Sequence, residues 1–166
     1  MSKRSKFIAS LRSVTACAVL AFAAIPQFAA TASAAGQFEK LLGSWGGSGT
    51  YRLASGKSEK LRCDAYYTGG GTQLGMVVRC SGGENKIEIR SKLSASGNNL
   101  SGHWEERTFN AEGTATGRVS DGHISLGISG AVSGSMSVEF SRSRQTVSIS
   151  TQGTELAGVS VSLSRK

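Results

Sequence analysis

The chain has 166 residues, 18% of them charged, with 19 Lys and Arg against 11 Asp and Glu, a formal net charge of +8. Four of the 19 basic residues (Lys3, Arg4, Lys6 and Arg12) stand in the first twelve positions, which leaves 15 against 11, a net of +4, for the rest. With the other cations spread along the chain and no basic run, the phosphate-tracking stripe of a nucleic-acid binder is excluded, and no nucleic-acid partner is expected.

Residues 1–35 read as a cleaved secretory signal. The basic start is followed by an apolar run from Val14 to about Ala24 and by a small-residue exit, Ala32-Ser33-Ala34 or Ser33-Ala34-Ala35. That is the order of a signal's n-region, h-region and cleavage site. Pro26 and Gln27 interrupt the run well short of the roughly 20 residues that a membrane span needs. Val14-Thr15-Ala16-Cys17 resembles a lipoprotein box, but it precedes the apolar run instead of following it and is a chance match. The expected location is the periplasm or outside the cell, where disulfides persist. Residues 36–166, about 131 in all, then make one domain, a size that buries roughly two-thirds of its unfolded surface.

All 22 glycines lie beyond residue 35, and the lone proline, Pro26, lies before it. The glycines alternate with apolar residues, which predicts short strands and tight turns. Trp45 to Leu53 alternates through Gly47, Gly49 and Tyr51. Next, Leu61, Cys63, Ala65 and Tyr67 share one face of a strand, and Met76, Val78 and Cys80 share one face of the strand that returns after Gly69-Gly70-Gly71. Folding near residues 71 and 72 sets Cys63 opposite Cys80, with facing Cβ atoms about 4.5–5.5 Å apart. A structural disulfide follows. Neither cysteine has a C-x-x-C neighbour or a nearby histidine, which argues against a metal site, and a buried apolar thiol is a poor redox group. Further strands carry Ile87, Ile89 and Leu93; Leu100, Gly102 and Trp104; Gly113, Ala115, Gly117 and Val119; Ile124, Leu126 and Ile128; Met136, Val138 and Phe140; Val147 and Ile149; and Val159, Val161 and Leu163. Asp121-Gly122 is the strongest hairpin signal among the turns. The fold class is all-β: an up-and-down antiparallel meander of about 8–10 strands, closed into a small barrel because closure removes both sheet edges. The opposite faces are polar, the reverse of a membrane barrel, so a non-spanning monomer is expected.

The segment LLGSWGGSGTYRL, Leu41 to Leu53, carries Gly43-Ser44-Trp45. It resembles the G-x-W that opens the first strand of the calycin superfamily, which includes lipocalins and fatty-acid-binding proteins. The resemblance implies a barrel with Trp45 plugging one end, and FEKLL before it as a lead-in turn. The chain also resembles small secreted alphaproteobacterial proteins of unknown function, which implies no mechanism. Leu42-Gly43-Ser44-Trp45 with Gly47 and Gly49 is similar to the opening of nitrobindin-type haem barrels. Those ligate haem through a histidine near the C-terminus, and no histidine follows His123, so no haem or other cofactor is expected. The periplasmic metalloprotease inhibitors are also calycin-like barrels with an early tryptophan and one disulfide. That likeness implies an inhibitory tail, here about Gly36 to Lys40.

His103 and His123 are the only histidines. In HWEER, His103 and Glu105 share an outer face and lack a third metal ligand, so no metal is expected. Glu106 alternates inward near a strand end; either the strand has left the barrel there, or Glu106 is a polar group inside it, partnered by Tyr51, Tyr67 or an arginine. No G-x-S-x-G, P-loop, H-E-x-x-H or close carboxylate pair appears, no residue is assigned a catalytic role, and the chain is expected not to be an enzyme. The leading function is binding of a small apolar or amphipathic molecule, with Trp45, Tyr51, Tyr67, Met76, Trp104, Met136 and Phe140 as lining candidates. The alternatives are an envelope protein-interaction module such as a protease inhibitor, or a structural protein with no ligand, in which the same side chains only fill a core.

Overall fold

The computed structural model describes residues 36–83 and 85–166. The signal-peptide reading falls on residues 1–35, outside the described residues. Ten strands follow one another: β1 (Gly43–Leu53), β2 (Ser58–Gly70), β3 (Gln73–Gly82), β4 (Asn85–Ser96), β5 (Asn99–Glu106), β6 (Ala111–Ser120), β7 (His123–Gly130), β8 (Ser133–Phe140), β9 (Arg144–Gln152) and β10 (Leu156–Arg165). Each pairs antiparallel with the next, and β10 pairs with β1, so the sheet closes into a barrel as expected. Short hairpin turns make this order the natural one, because antiparallel neighbours need only two to five linking residues. The turn at Asp121-Gly122 puts Gly122 at φ 77°, a conformation that costs glycine little and other residues more.

The period-two alternation read from the sequence becomes the wall of the barrel. In β2, Leu61, Cys63, Ala65 and Tyr67 are buried while Arg62, Asp64 and Tyr66 are exposed. Cys63 faces Cys80 in the β2–β3 register, Ala65 faces Val78 and Tyr67 faces Met76. The two cysteines form a disulfide, with Cα atoms 4.1 Å apart. A cross-link closing a loop of this size contributes about 3 kcal/mol in the chain-entropy picture. The outer faces carry mainly hydroxyl and charged side chains, with Tyr66 and Val77 as apolar exceptions. No helix among the described residues is long and apolar enough to cross a membrane.

One end of the barrel is shut. Residues 37–42 turn across it: Phe38 accepts hydrogen bonds from the Leu41 and Leu42 amides, and Phe38 and Leu41 are almost fully buried. Gln37 Nε2 donates to Asn98 in the β4–β5 turn at 3.1 Å, and Lys40 Nζ meets Asp121 in the β6–β7 turn at 2.6 Å. Trp45 stands directly inside this lid with no exposed surface, its indole donating to the Leu41 carbonyl at 2.7 Å. The Arg165 guanidinium lies 4.5 Å from the indole ring centre and donates to the carbonyls of Arg142, Leu42 and Lys40 at 2.5–2.6 Å. Trp45 therefore plugs one end, as the calycin resemblance implies. Of Gly36–Lys40, the tail that the inhibitor likeness implies, Phe38 is part of the lid, held there by the apolar area it removes from water.

Candidate functional site

The walls change character along the strands. Towards the lid, the inward positions are filled by large buried side chains such as Leu74, Leu93, Leu100, Ile124 and Phe140. Midway, small inward residues, Gly47 and Gly49 on β1, Ala65 on β2, Ser91 on β4, Gly102 on β5 and Gly117 on β6, stand among larger buried ones, Met76, Leu126, Val138, Val147 and Val161. Beyond them stands a group of half-buried apolar residues, Val78, Ile89, Trp104, Met136, Ile149 and Val159, packed against the core yet reached by solvent. Register joins them across the wall: Val78 faces Ile89, and Met136 faces Ile149, which faces Val159. The lid half of the barrel, its floor, is thus densely packed, and the other half mixes buried residues, Tyr51, Leu61 and Cys63, with these partly accessible apolar ones.

The seven lining candidates separate by height. Trp104 and Met136 belong to the accessible wall, and Met76 lies just below it, one strand from Ser91, which faces Trp104. Tyr51 stands at the other end from the lid but is itself buried, 6% exposed, its hydroxyl donating to Glu59 at 2.7 Å. Trp45, Tyr67 and Phe140 are 0%, 3% and 7% exposed and belong to the floor, so they line no accessible space. Val78, Ile89, Ile149 and Val159, which the alternation also puts on the inner face, join Trp104 and Met136 there. Their aliphatic side chains carry no sequence signal that separates a lining position from a core one.

The polar groups near the mouth are engaged. Glu59 is held below the usual carboxylate range, first by its hydrogen bond to Lys57 and then by that from Tyr51. Glu106 is not a free group inside the barrel: its carboxylate accepts hydrogen bonds from the backbone amides of Glu88, Thr108 and Phe109 at 3.1, 3.0 and 2.6 Å, and so caps the β5–β6 turn. His103 is on the outer face, 3.6 Å from Glu112. Among the described residues, no three His, Cys, Asp or Glu side chains come together to hold a metal ion. Two shallow depressions lie outside the lid end, around Gly122, Phe140 and Ser141, where half the lining side chains point outward into water.

Inside the floor sits one buried polar pair, in which Gln145 Nε2 donates to the Tyr67 hydroxyl. Burial pushes the Tyr67 hydroxyl up to about 12, only partly offset by Gln145. Unfolded, the phenol ionises near 10. Between those values the unfolded chain loses a proton that the folded chain keeps, so stability falls as pH rises from 10 to 12. The loss is about 1 kcal/mol at pH 11 and approaches about 3 kcal/mol above 12. Urea unfolding at pH 9 and pH 11 should show this drop, and Tyr67→Phe should lessen it by about 1 kcal/mol. An unaltered drop in the variant would rule Tyr67 out as its source.

No protein-family model matches the chain, and no curated protein does. Solved structures do. The crystal structure of Rv2717c from M. tuberculosis superposes with a TM-score of 0.66 over 81% of this chain and 98% of that one, at 15% identity. The S-type phycobiliprotein lyase CPES from Guillardia theta gives a TM-score of 0.54 over 81% of this chain and 92% of the other, at 16% identity. At such identities the likeness is one of fold, that of a closed antiparallel β-barrel. The second likeness corrects the expectation that the chain is not an enzyme. A lyase is an enzyme, and it is built on this architecture, so the barrel does not separate this chain from catalysts.

Proposed function

We propose that the open half of the barrel binds a small apolar or amphipathic molecule. The observation that carries this reading is the half-buried upper wall. Val78, Ile89, Trp104, Met136, Ile149 and Val159 face inward yet remain reachable by solvent, above a floor that is fully packed. Apolar surface kept at such a position favours an occupant, since covering it is worth about 25 cal/mol per Å². A protein with only a structural role would be expected to fill this half as it fills the other. The protease-inhibitor alternative loses support because the segment it needs is folded into the lid.

The test is saturable binding of the neutral apolar dye N-phenyl-1-naphthylamine, read by its own fluorescence and by that of Trp104. Trp104→Ala should weaken binding at least about tenfold, the equivalent of losing roughly 1.4 kcal/mol of contact. Tyr66→Ala, on the outer face of β2, should leave it unchanged. Absence of saturable binding, or equal binding by Trp104→Ala, would count against the reading.

The same proposal places the protein in the periplasm or outside the cell. The leader pattern of residues 1–35 and the Cys63–Cys80 disulfide support this, because disulfides persist in oxidising compartments. Intact mass of the exported protein should correspond to a chain beginning near Gly36. A chain that keeps its first 35 residues would overturn this assignment.

A further inference from the structure

The outward cations of the first four strands are scattered in the chain and aligned by the register of the sheet. Arg52 faces Ser58, and Lys60 stands two residues beyond Ser58 on β2. Arg62 follows on the same strand and faces Ser81, two residues from Arg79 on β3. Arg79 faces Glu88, and Arg90 and Lys92 continue along β4. A step of one strand and two residues is about 8 Å, and two residues along one strand about 7 Å. Six cations therefore cross β1–β4 on a diagonal. Each lies within about one Debye length of the next at physiological salt, so their fields add.

Acids do not cancel this line. Among the described residues, Asp64 and Glu88 are the outward acids on β1–β4, and both are already paired. Glu88 is shared between Arg79 at 3.0 Å and Arg90 at 2.7 Å, and Asp64 meets Lys166 at 2.7 Å. One carboxylate cannot offset two guanidinium groups, so the line keeps a net positive charge. The opposite wall is balanced: the outward positions of β7–β10 are mostly serine, with one acid, Glu139, and one arginine, Arg144. An apolar pair lies beside the cations. Tyr66 is 52% exposed and faces Val77, which in turn faces Arg90. Tyrosine, apolar in its ring and polar at its tip, suits a boundary between water and hydrocarbon. A soluble polyanion would meet the cations and leave this pair bare, whereas a lipid surface offers headgroup charge with apolar depth beneath it.

We propose that the outer wall of β1–β4 docks on an anionic lipid bilayer, with the cations from Arg52 to Lys92 against the headgroups and Tyr66 and Val77 at the interface. The barrel lies side-on to the membrane without crossing it. The long stems of arginine and lysine let cations at the edges of the curved wall reach the plane. Docking of this kind is independent of whether the interior holds a ligand.

The experiment is co-sedimentation of the purified protein with vesicles of phosphatidylcholine, either pure or carrying about one-third phosphatidylglycerol. At about 0.05 M salt the anionic vesicles should bind at least about tenfold more tightly, and about 0.5 M salt should remove that advantage. Lys60→Gln combined with Arg62→Gln should weaken binding about twentyfold, since each cation near such a surface is worth about fivefold. Tyr66→Ala should weaken it about threefold. Arg118→Gln combined with Arg144→Gln removes the same charge from other strands and should change binding less than about twofold. All these side chains are exposed, so each variant keeps the barrel. Equal losses in the two double variants would reduce the effect to net charge and overturn the assignment of this face. Binding to neutral and anionic vesicles alike, or to neither, would overturn the proposal outright. So would capture by heparin or single-stranded DNA without vesicle binding, which would give the line of cations to a soluble polyanion.

Discussion

Replacing Trp45 with alanine should remove about 4–5 kcal/mol of stability. The side chain is fully buried, and truncating a buried tryptophan costs about 3–5 kcal/mol through lost transfer energy and the space left behind. The Leu41 carbonyl loses its indole donor, and the Arg165 guanidinium loses the ring beneath it. Phe38 and Leu41, almost fully buried in the lid, belong to the same core cluster as the indole. Set against the 5–15 kcal/mol of an ordinary domain, such a loss leaves the protein close to unfolded. Trp45→Phe should cost less, about 1–3 kcal/mol, since it keeps a ring and loses the hydrogen bond. Urea unfolding followed by Trp104 fluorescence and by circular dichroism measures both. A loss below about 1 kcal/mol for the alanine variant would show that the closed end does not depend on this plug.

Gly117→Ala should be the second severe change, and Gly127→Ala should be almost silent. The two glycines lie on adjacent strands, in the β6–β7 pairing. A Cβ at Gly117 would come within 1.9 Å of the Ser125 carbonyl oxygen and 2.8 Å of Leu126 Cα. Those are backbone atoms, so room can be made only by parting or twisting the two strands. Overpacking of that kind costs about 1–3 kcal/mol or more. At Gly127, on the outer face, the nearest atom to an added Cβ is the Thr116 carbonyl oxygen at an ordinary 3.7 Å. There the substitution should lie within about 0.5 kcal/mol of neutral, or stabilise slightly by restricting the unfolded chain. Similar contacts at Gly47, Gly49 and Gly102 indicate that these inward glycines let the strands coil tightly. Equal stabilities for the two alanine variants would refute this role for Gly117.

The fold was legible in the sequence because β-structure writes itself locally. Alternation with period two assigns each side chain to a face, and the turn after Gly69-Gly70-Gly71 sets Cys63 against Cys80 without reference to the rest of the chain. Closure followed from the need to remove two edges, and Trp45 was marked by its motif. The candidate site was less legible. Alternation separates inner from outer positions, but height within the barrel is a different quantity. Trp45, Tyr67 and Phe140 share the inner face with Trp104 and Met136, and only the first three lie in the floor.

Residues 36–166 thus determined by themselves that they would form a closed antiparallel barrel with a clasped hairpin, an apolar interior and a polar exterior. The tertiary structure decided which end is shut, that Phe38 and Leu41 shut it, and that Gln145 is buried against Tyr67. It also gathered Arg52, Arg62, Arg79, Arg90 and Lys92, scattered in the chain, onto the outer faces of the four neighbouring strands β1–β4. The physical reason is the stagger of a closed barrel. Each strand is offset from the next by its pairing, the offsets accumulate around the wall, and a side chain's height depends on every pairing between it and the first strand.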